Sequence, residues 1–231
     1  MNIQVFNEID STQIEAKRQI DACGFIADKI IVAINQTNGI TTKKGIPWQS
    51  QAGDVLMSWI LNVNNQNIKI NHILFCCSLA IRDILNDERE KIIASTDNKD
   101  KQQFLQEMKI EIKWPNDMLI NKKKISGILA EFYKNHLIIG IAINLVKNSF
   151  KTARMPATDF ETLTGKLLDS KTFINNIYNK SKDYIDILLR YGFNPIKEQW
   201  KQYAYMLGQV VEKSDGNFVM FNDIDDDGDI I

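Results

Sequence analysis

No apolar run in this 231-residue sequence reaches the roughly 18 residues that a membrane-spanning helix needs, so no membrane partner is expected. Nor is there an excess of charge. Lys and Arg number 28 against 29 Asp and Glu, and a net charge of -1 gives no global pull toward DNA or an anionic membrane. Cysteine is scarce and odd in count. Cys23, Cys76 and Cys77 read as buried structural thiols of a reducing cytoplasm, the last two pointing in different directions from one helical stretch. His72 and His136 are too few and too far apart for a zinc site. The first ten residues alternate polar and apolar as a strand does, so a secretory signal is not expected and the localisation expected is cytoplasmic.

What the chain does have is enough apolar residue, 44%, for a substantial core, with an ordinary 25% of charge. The length suits one domain with a small appendage. Residues 2–9 read as a strand. Thr12-x-x-Glu15 has the spacing of a capping box and opens a short helix that stops at Gly24. Lys29 to Asn35 reads as a buried strand, residues 36–54 as a long loop, and Val55 to Val63 as the next strand. Asn71 is expected to cap a helix to about Asp87, with residues 88–108 either extending it or forming a lid. Strands return at 110–113, 118–120, 124–133 and 137–144, joined by polar turns. Thr158-x-x-Glu161 is a second capping box, and helices are expected over 170–190 and from Asn194-Pro195 to Trp200. Short strands begin after Gly208. This order of elements predicts an α+β class, a mixed sheet flanked by helices.

The most informative stretch is Lys113-Trp114-Pro115-Asn116-Asp117, followed by Lys124-Ile125-Ser126-Gly127-Ile128-Leu129-Ala130-Glu131. A lysine inside a strand pattern is expected to be partly buried, and a buried ammonium is costly unless it is paired or faces an anion. Asn116 and Asp117 offer oxygens suited to a ribose or Mg²⁺, although a turn with a salt bridge would look the same. Lys122 and Lys123 read as a solvated hairpin tip, leaving Lys124 as the better site residue. Asp10-Ser11-Thr12 lies at a strand-to-helix junction and reads first as an N-cap. Gln36-Thr37-Asn38-Gly39 opens the long loop, where glycine lets backbone N–H groups approach an anion. The tail from Asp223 to Asp229 contains D-x-D-x-D-G, the first half of a calcium loop. It lacks the glutamate that would complete one and reads as an acidic hairpin turn.

Taken together, Asp10-Ser11-Thr12, Gln36 to Gly39, Trp48, the K-W-P-N-D run, K-I-x-G-I-L-x-E and Gly140-x-Ala142-x-Asn144 resemble the biotin protein ligases over nearly the whole chain. The resemblance implies a catalytic domain over 1–206, related to class II aminoacyl-tRNA synthetases, and a short, apparently incomplete β-barrel segment over 207–231. It implies ATP and Mg²⁺ as cofactors and biotin as substrate. Biotin is activated as biotinyl-5′-AMP and passed to a lysine of a biotin carboxyl carrier domain. Lys113 and Lys124 are then the catalytic cations. Ser11, Thr12, Gln36, Gly39, Lys113, Gly127 and Gly140 would hold biotin. Lys43, Lys44, Trp48, Asn116, Lys124 and Asn144 would hold the nucleotide, and Asp117 the metal. Specific DNA binding is not expected, because no helix-turn-helix domain precedes Asp10, and a homodimer is left open.

The family's arginine- and glycine-rich loop departs here to Gly39-Ile40-Thr41-Thr42-Lys43-Lys44-Gly45, which keeps charge but loses the bidentate fork for phosphate. The stretch from Thr37 to Gly53 is expected to close over the ligand. A lipoate or octanoyl ligase, and a catalytically weakened carboxylase-binding module, are the alternatives.

Overall fold

The computed structural model describes residues 2–41, 47–63, 68–148, 150, 156–212 and 216–231. The strands are β1 (Asn2–Ile9), β2 (Lys29–Gln36), β3 (Val55–Asn62), β4 (Ile110–Lys113), β5 (Asp117–Ile120), β6 (Lys123–Tyr133), β7 (His136–Ile143), β8 (Val210–Glu212) and β9 (Phe218–Met220). The helices are α1 (Thr12–Cys23), α2 (Ile70–Ser95), α3 (Lys99–Glu107), α4 (Phe160–Thr164), α5 (Ser170–Tyr191) and α6 (Asn194–Lys201). None of the described helices is long and apolar enough to cross a membrane. The chain gathers into two compact units, Met1–Ile68 with Lys123–Asn175 and Lys69–Lys122 with Asn176–Ile231.

The first unit is built on strands in the order β1-β2-β3-β7-β6, with β1 and β2 parallel and the other neighbours antiparallel. Helix α1 lies on one face of this sheet. Its Ala16 and Ile20, four residues apart and therefore stacked on one side of the helix, are fully buried with Ile31, Ile60 and Ile138. Two residues along from Ile60 and Ile138, on the same face, are Ser58 and Gly140, which sit opposite each other in the β3–β7 register. Gly140 in turn faces Leu129, and Ala142 faces Gly127. Small residues therefore line the sheet beside the start of α1.

Several caps differ from expectation. The N-cap of α1 is Ser11, whose hydroxyl accepts from Gln13 N–H, and Thr12 is the first helical residue. The helix does end at Gly24, in the left-handed region at φ 71°. In α4 the cap is Asp159 and not Thr158, because a carboxylate there meets both Thr162 N–H at 2.6 Å and the Thr162 hydroxyl at 2.9 Å. Cys76 and Cys77 are buried as expected, and burial pushes the Cys77 thiol up to about 12. Cys23, at the end of α1, is exposed instead.

In the second unit α2 is longer than its periodicity suggested, running on to Ser95, and α3 takes up the rest of the polar stretch. Its buried face includes Ile73, Leu74, Cys77, Ile81 and Leu85. The N-cap is Lys69, without a side-chain cap bond, and there is no acid in the first turn. Asn71 instead donates to Asp227 O at 3.3 Å and to Asp229 Oδ1 at 3.0 Å. The acidic tail thus lies at the positive end of the α2 dipole, where negative charge is favoured. It turns back on itself through an antiparallel bridge between Ile224 and Ile230, as a hairpin turn should. Hairpin β4–β5 pairs Lys113 with Asp117. On its other side, Ile112 N–H donates to Tyr203 O and its carbonyl accepts from Tyr205 N–H, both at 2.8 Å. Strands β8 and β9 form the small C-terminal sheet.

Candidate active site

In the first unit the polar groups at the start of α1 are interlocked. Gln36, from the end of β2, accepts through Oε1 from Thr12 N–H at 2.7 Å and from the Thr12 hydroxyl at 3.2 Å. Ser58 Oγ lies 2.9 Å from both Thr12 Oγ1 and Gln13 Oε1. Gln13 donates through Nε2 to Glu131 Oε1 at 2.9 Å, and the other oxygen of Glu131 pairs with Lys17 at 2.8 Å. Ser11, Thr12, Gln13 and Ser58 are all buried. A Cβ on Gly140 would lie 2.7 Å from Gln13 Oε1, so a side chain here would have to push the Gln13 amide out of its bond with Ser58. Asp10 joins the network through Ser11, from whose N–H it accepts at 2.8 Å. The Arg18 guanidinium bonded to it holds its carboxyl below the usual range, against the opposing effect of burial.

A second group of expected residues converges on one spot. Lys124 Nζ lies 5.3 Å from the ring centroid of Trp48, over its face, a cation–π arrangement. Gly127 lies beneath them: a Cβ there would sit 3.1 Å from Trp48 Cζ3 and 3.3 Å from Lys124 Nζ. Trp48 is fastened by its backbone N–H to Gly39 O at 3.0 Å, and a Cβ on Gly39 would be 3.2 Å from both Gln36 Nε2 and Trp48 Cβ. Gln36, Gly39, Trp48, Lys124 and Gly127 therefore form a connected series. Asn144 follows β7. Its N–H donates to Ile125 O at 2.9 Å and its Nδ2 to Thr158 O at 3.0 Å, while its buried Oδ1 has no partner among the described residues. The same is true of the buried Trp48 Nε1. A buried acceptor and a buried donor left this way suit a polar ligand, which would offset the cost of their desolvation.

Asp54 ties these pieces together. Its Oδ1 accepts from Leu145 N–H at 2.8 Å and Val146 N–H at 3.1 Å, and its Oδ2 from Gln51 N–H at 3.0 Å. Burial pushes its carboxyl up, and the three backbone donors oppose that shift. Asp54 thereby joins the end of the segment carrying Trp48 to the residues after Asn144.

In the second unit Lys113, Asn116 and Asp117 are half-buried at the β4–β5 turn. Trp114 between them donates its indole N–H to Gly228 O at 2.8 Å. No group of three or more His, Cys, Asp or Glu side chains able to hold a metal exists among the described residues. One carboxylate is nonetheless enough where phosphates and water complete the shell, as is usual for Mg²⁺. Lys43 and Lys44 lie outside the described residues. Sequence reading missed Gln13, Ser58 and Asp54. The signal for Ser58 was present, as the one hydroxyl in the apolar run Val55 to Leu61.

The sequence profile of the biotin/lipoate A/B protein ligase family matches residues 5–148, more than half of the chain. A biotin–[acetyl-CoA-carboxylase] ligase of Paracoccus denitrificans is 26% identical over 96% of this chain and 90% of its own length. The bifunctional ligase/repressor BirA of Bacillus subtilis is 30% identical over 86% of this chain, which spans only 59% of that relative. Among solved structures, the biotin protein ligase of Aquifex aeolicus in complex with biotin and ATP superposes with a TM-score of 0.79, at 23% identity, over 98% of this chain and 89% of that one. The Leishmania major biotin protein ligase in complex with biotinyl-5-AMP gives 0.68, also at 23%, over 94% and 93%.

Proposed function

Because the chain belongs to the biotin/lipoate A/B protein ligase family, we propose that it is an ATP-dependent biotin–protein ligase. A biotin carboxylate oxygen attacks the α-phosphorus of ATP and pyrophosphate leaves. A lysine amine of a carboxyl carrier domain then attacks the acyl carbon of biotinyl-5′-AMP. The amide forms, AMP departs and the amine loses a proton. The observation that carries this reading is the placement of Lys124 and Trp48 over Gly127, with Gln36 and Gly39 adjoining. A cation, a flat ring and a bare strand backbone suit an acyl-phosphate anhydride with an attached base.

In this assignment Ser11, Thr12 and Gln36 hydrogen-bond the ureido head of biotin, and Gly140 lets the ligand lie against the strand. Trp48 and Asn144 hold the nucleotide. Lys113 and Lys124 place positive charge where the carboxylate and α-phosphate exchange negative charge, a preorganised stabilisation. Asn116 orients phosphate or ribose, and Asp117 would contribute the protein's oxygen to Mg²⁺, which neutralises phosphate charge when bound. Lys43 and Lys44, like the division at residue 206, remain assignments from sequence. No side chain serves as a covalent nucleophile, so positioning and electrostatics provide the rate. The acceptor is a carboxylase of the type named for the Paracoccus relative.

The direct test is incubation with ATP, Mg²⁺ and either biotin or lipoate, with mass spectrometry for the acyl-adenylate. Biotinyl-adenylate in the first mixture and none in the second is the expected result; lipoyl-adenylate alone would replace biotin as the substrate, and neither product would remove the ligase assignment. Gly127→Ala supplies a narrower check. The added methyl must displace either the Trp48 ring or the Lys124 ammonium, so the KM for ATP is expected to rise by about tenfold, equivalent to roughly 1.4 kcal/mol. An unchanged KM would mean that the Trp48 and Lys124 side chains at Gly127 do not hold the nucleotide.

A further inference from the structure

The turn Asp225–Gly228 has no part in the reaction as described, yet it is tightly made. Asp225 Oδ1 accepts from Asp227 N–H at 2.8 Å and from Asp229 N–H at 2.9 Å, folding the turn around one carboxylate. Gly228 N–H closes it onto Asp225 O at 3.2 Å. The start of α2 then clamps it from outside. Lys69 pairs with Asp227 and donates to Asp226 O at 3.2 Å, and His72 Nε2 meets the same carbonyl at 2.9 Å. The His72 ring is itself stacked on Phe193, with centroids 3.8 Å apart. Gly228 is at φ +85°, and a Cβ on it would lie 2.6 Å from Asn71 Cβ, so a side chain at this position would be both strained and in collision with the start of α2.

The Gly228 carbonyl receives the indole N–H of Trp114. Ahead of Trp114, the backbone of Ile112 is bonded to Tyr203 and Tyr205, and Lys113 is paired with Asp117. The residue following Lys113 thus has its own anchor, supplied by a turn more than a hundred residues later. We propose that the Asp225–Gly228 turn, acting through the Trp114 indole, is a positioning element that holds the Lys113–Asp117 corner in its working geometry. The inference rests on the assignment of Lys113 to adenylate formation.

The test uses the full chain with biotin, ATP and Mg²⁺, following pyrophosphate release for wild type, Trp114→Phe, Gly228→Ala and the double variant. Trp114→Phe keeps an aromatic ring and removes the donor together with part of the indole's packing surface. It is expected to lower kcat by about tenfold while both KM values stay within about twofold, because misplacement of a reacting group by less than an ångström costs rate more than binding. Gly228→Ala is expected to do the same. The double variant should be no slower than the worse single one, since both remove one interaction. Three results would overturn the proposal: Trp114→Phe within about twofold of wild type in kcat, KM values rising together with the loss, or single losses that multiply to about a hundredfold. Should Gly228→Ala fail to fold, Trp114→Phe decides alone. Wild-type chain that releases no pyrophosphate defeats the ligase assignment itself, whereas an active wild type with an equally active Trp114→Phe defeats only the positioning role.

Discussion

Lys113→Ala is expected to lower the rate of biotinyl-adenylate formation by about a hundredfold or more, the scale of losing one preorganised donor at a developing anion. The lysine ends β4, paired with Asp117 and fixed one residue earlier by the two backbone bonds of Ile112. Its half-buried position strengthens its effect on a bound anion relative to a fully solvated ammonium. The removed charge should act mainly on kcat, because the negative charge it meets grows along the reaction. Single-turnover quench with radiolabelled ATP measures this step without the transfer that follows. A variant with near wild-type adenylation would reassign the cationic role to Lys124.

The largest effect on stability is expected from Trp200→Ala, at about 3–5 kcal/mol. Trp200 is fully buried in the second unit. It stacks on Phe75 with centroids 4.3 Å apart and planes within 9°, tilts against Phe221 at 6.4 Å, and donates its indole N–H to Ser78 Oγ at 3.1 Å. Truncation removes a large apolar surface, leaves a cavity beside two further rings, and strips a buried hydroxyl of its donor. Urea unfolding followed by circular dichroism would show the loss as a lower midpoint. Trp200→Phe, which keeps the stacking, should recover a large part of it. A Trp200→Ala midpoint unchanged from wild type would mean that the neighbouring rings collapse to fill the space.

Helical periodicity placed the main helices, and apolar runs placed β2 and β3, which are buried on both faces over much of their length. Pattern failed at helix starts. The cap of α1 falls within the expected Asp10-Ser11-Thr12 run but is Ser11 and not the Thr12 of the capping box, and that of α4 is Asp159 and not Thr158, since a cap is decided by which oxygen reaches an N–H two or three residues on, and neighbouring hydroxyls and carboxylates share that spacing. Asn71 looked like a cap and spends its amide on the C-terminal turn instead. The candidate site residues were picked where charge and glycine interrupt apolar strands, and of these Lys124 and Gly127 meet at Trp48 while Gly140 packs on Gln13. Gln13, Ser58 and Asp54 were not singled out. Gln13 sits inside α1 without breaking its pattern, Asp54 lies in the turn before β3, and Ser58 does interrupt an apolar run, but the role of each arises only when segments distant in sequence are laid side by side.

The clamp between α2 and the acidic turn joins residues 154 to 158 positions apart, and the Trp114–Gly228 bond spans 114. Hairpin β4–β5, by contrast, pairs Lys113 with a residue four positions away. Local pairings of that kind form within microseconds, whereas long loops close against a larger entropy cost. The local Lys113–Asp117 pairing is therefore expected to form ahead of the anchoring of its indole. In refolding from urea, recovery of activity is expected to lag behind recovery of secondary structure, as stopped-flow circular dichroism beside an adenylation assay would show.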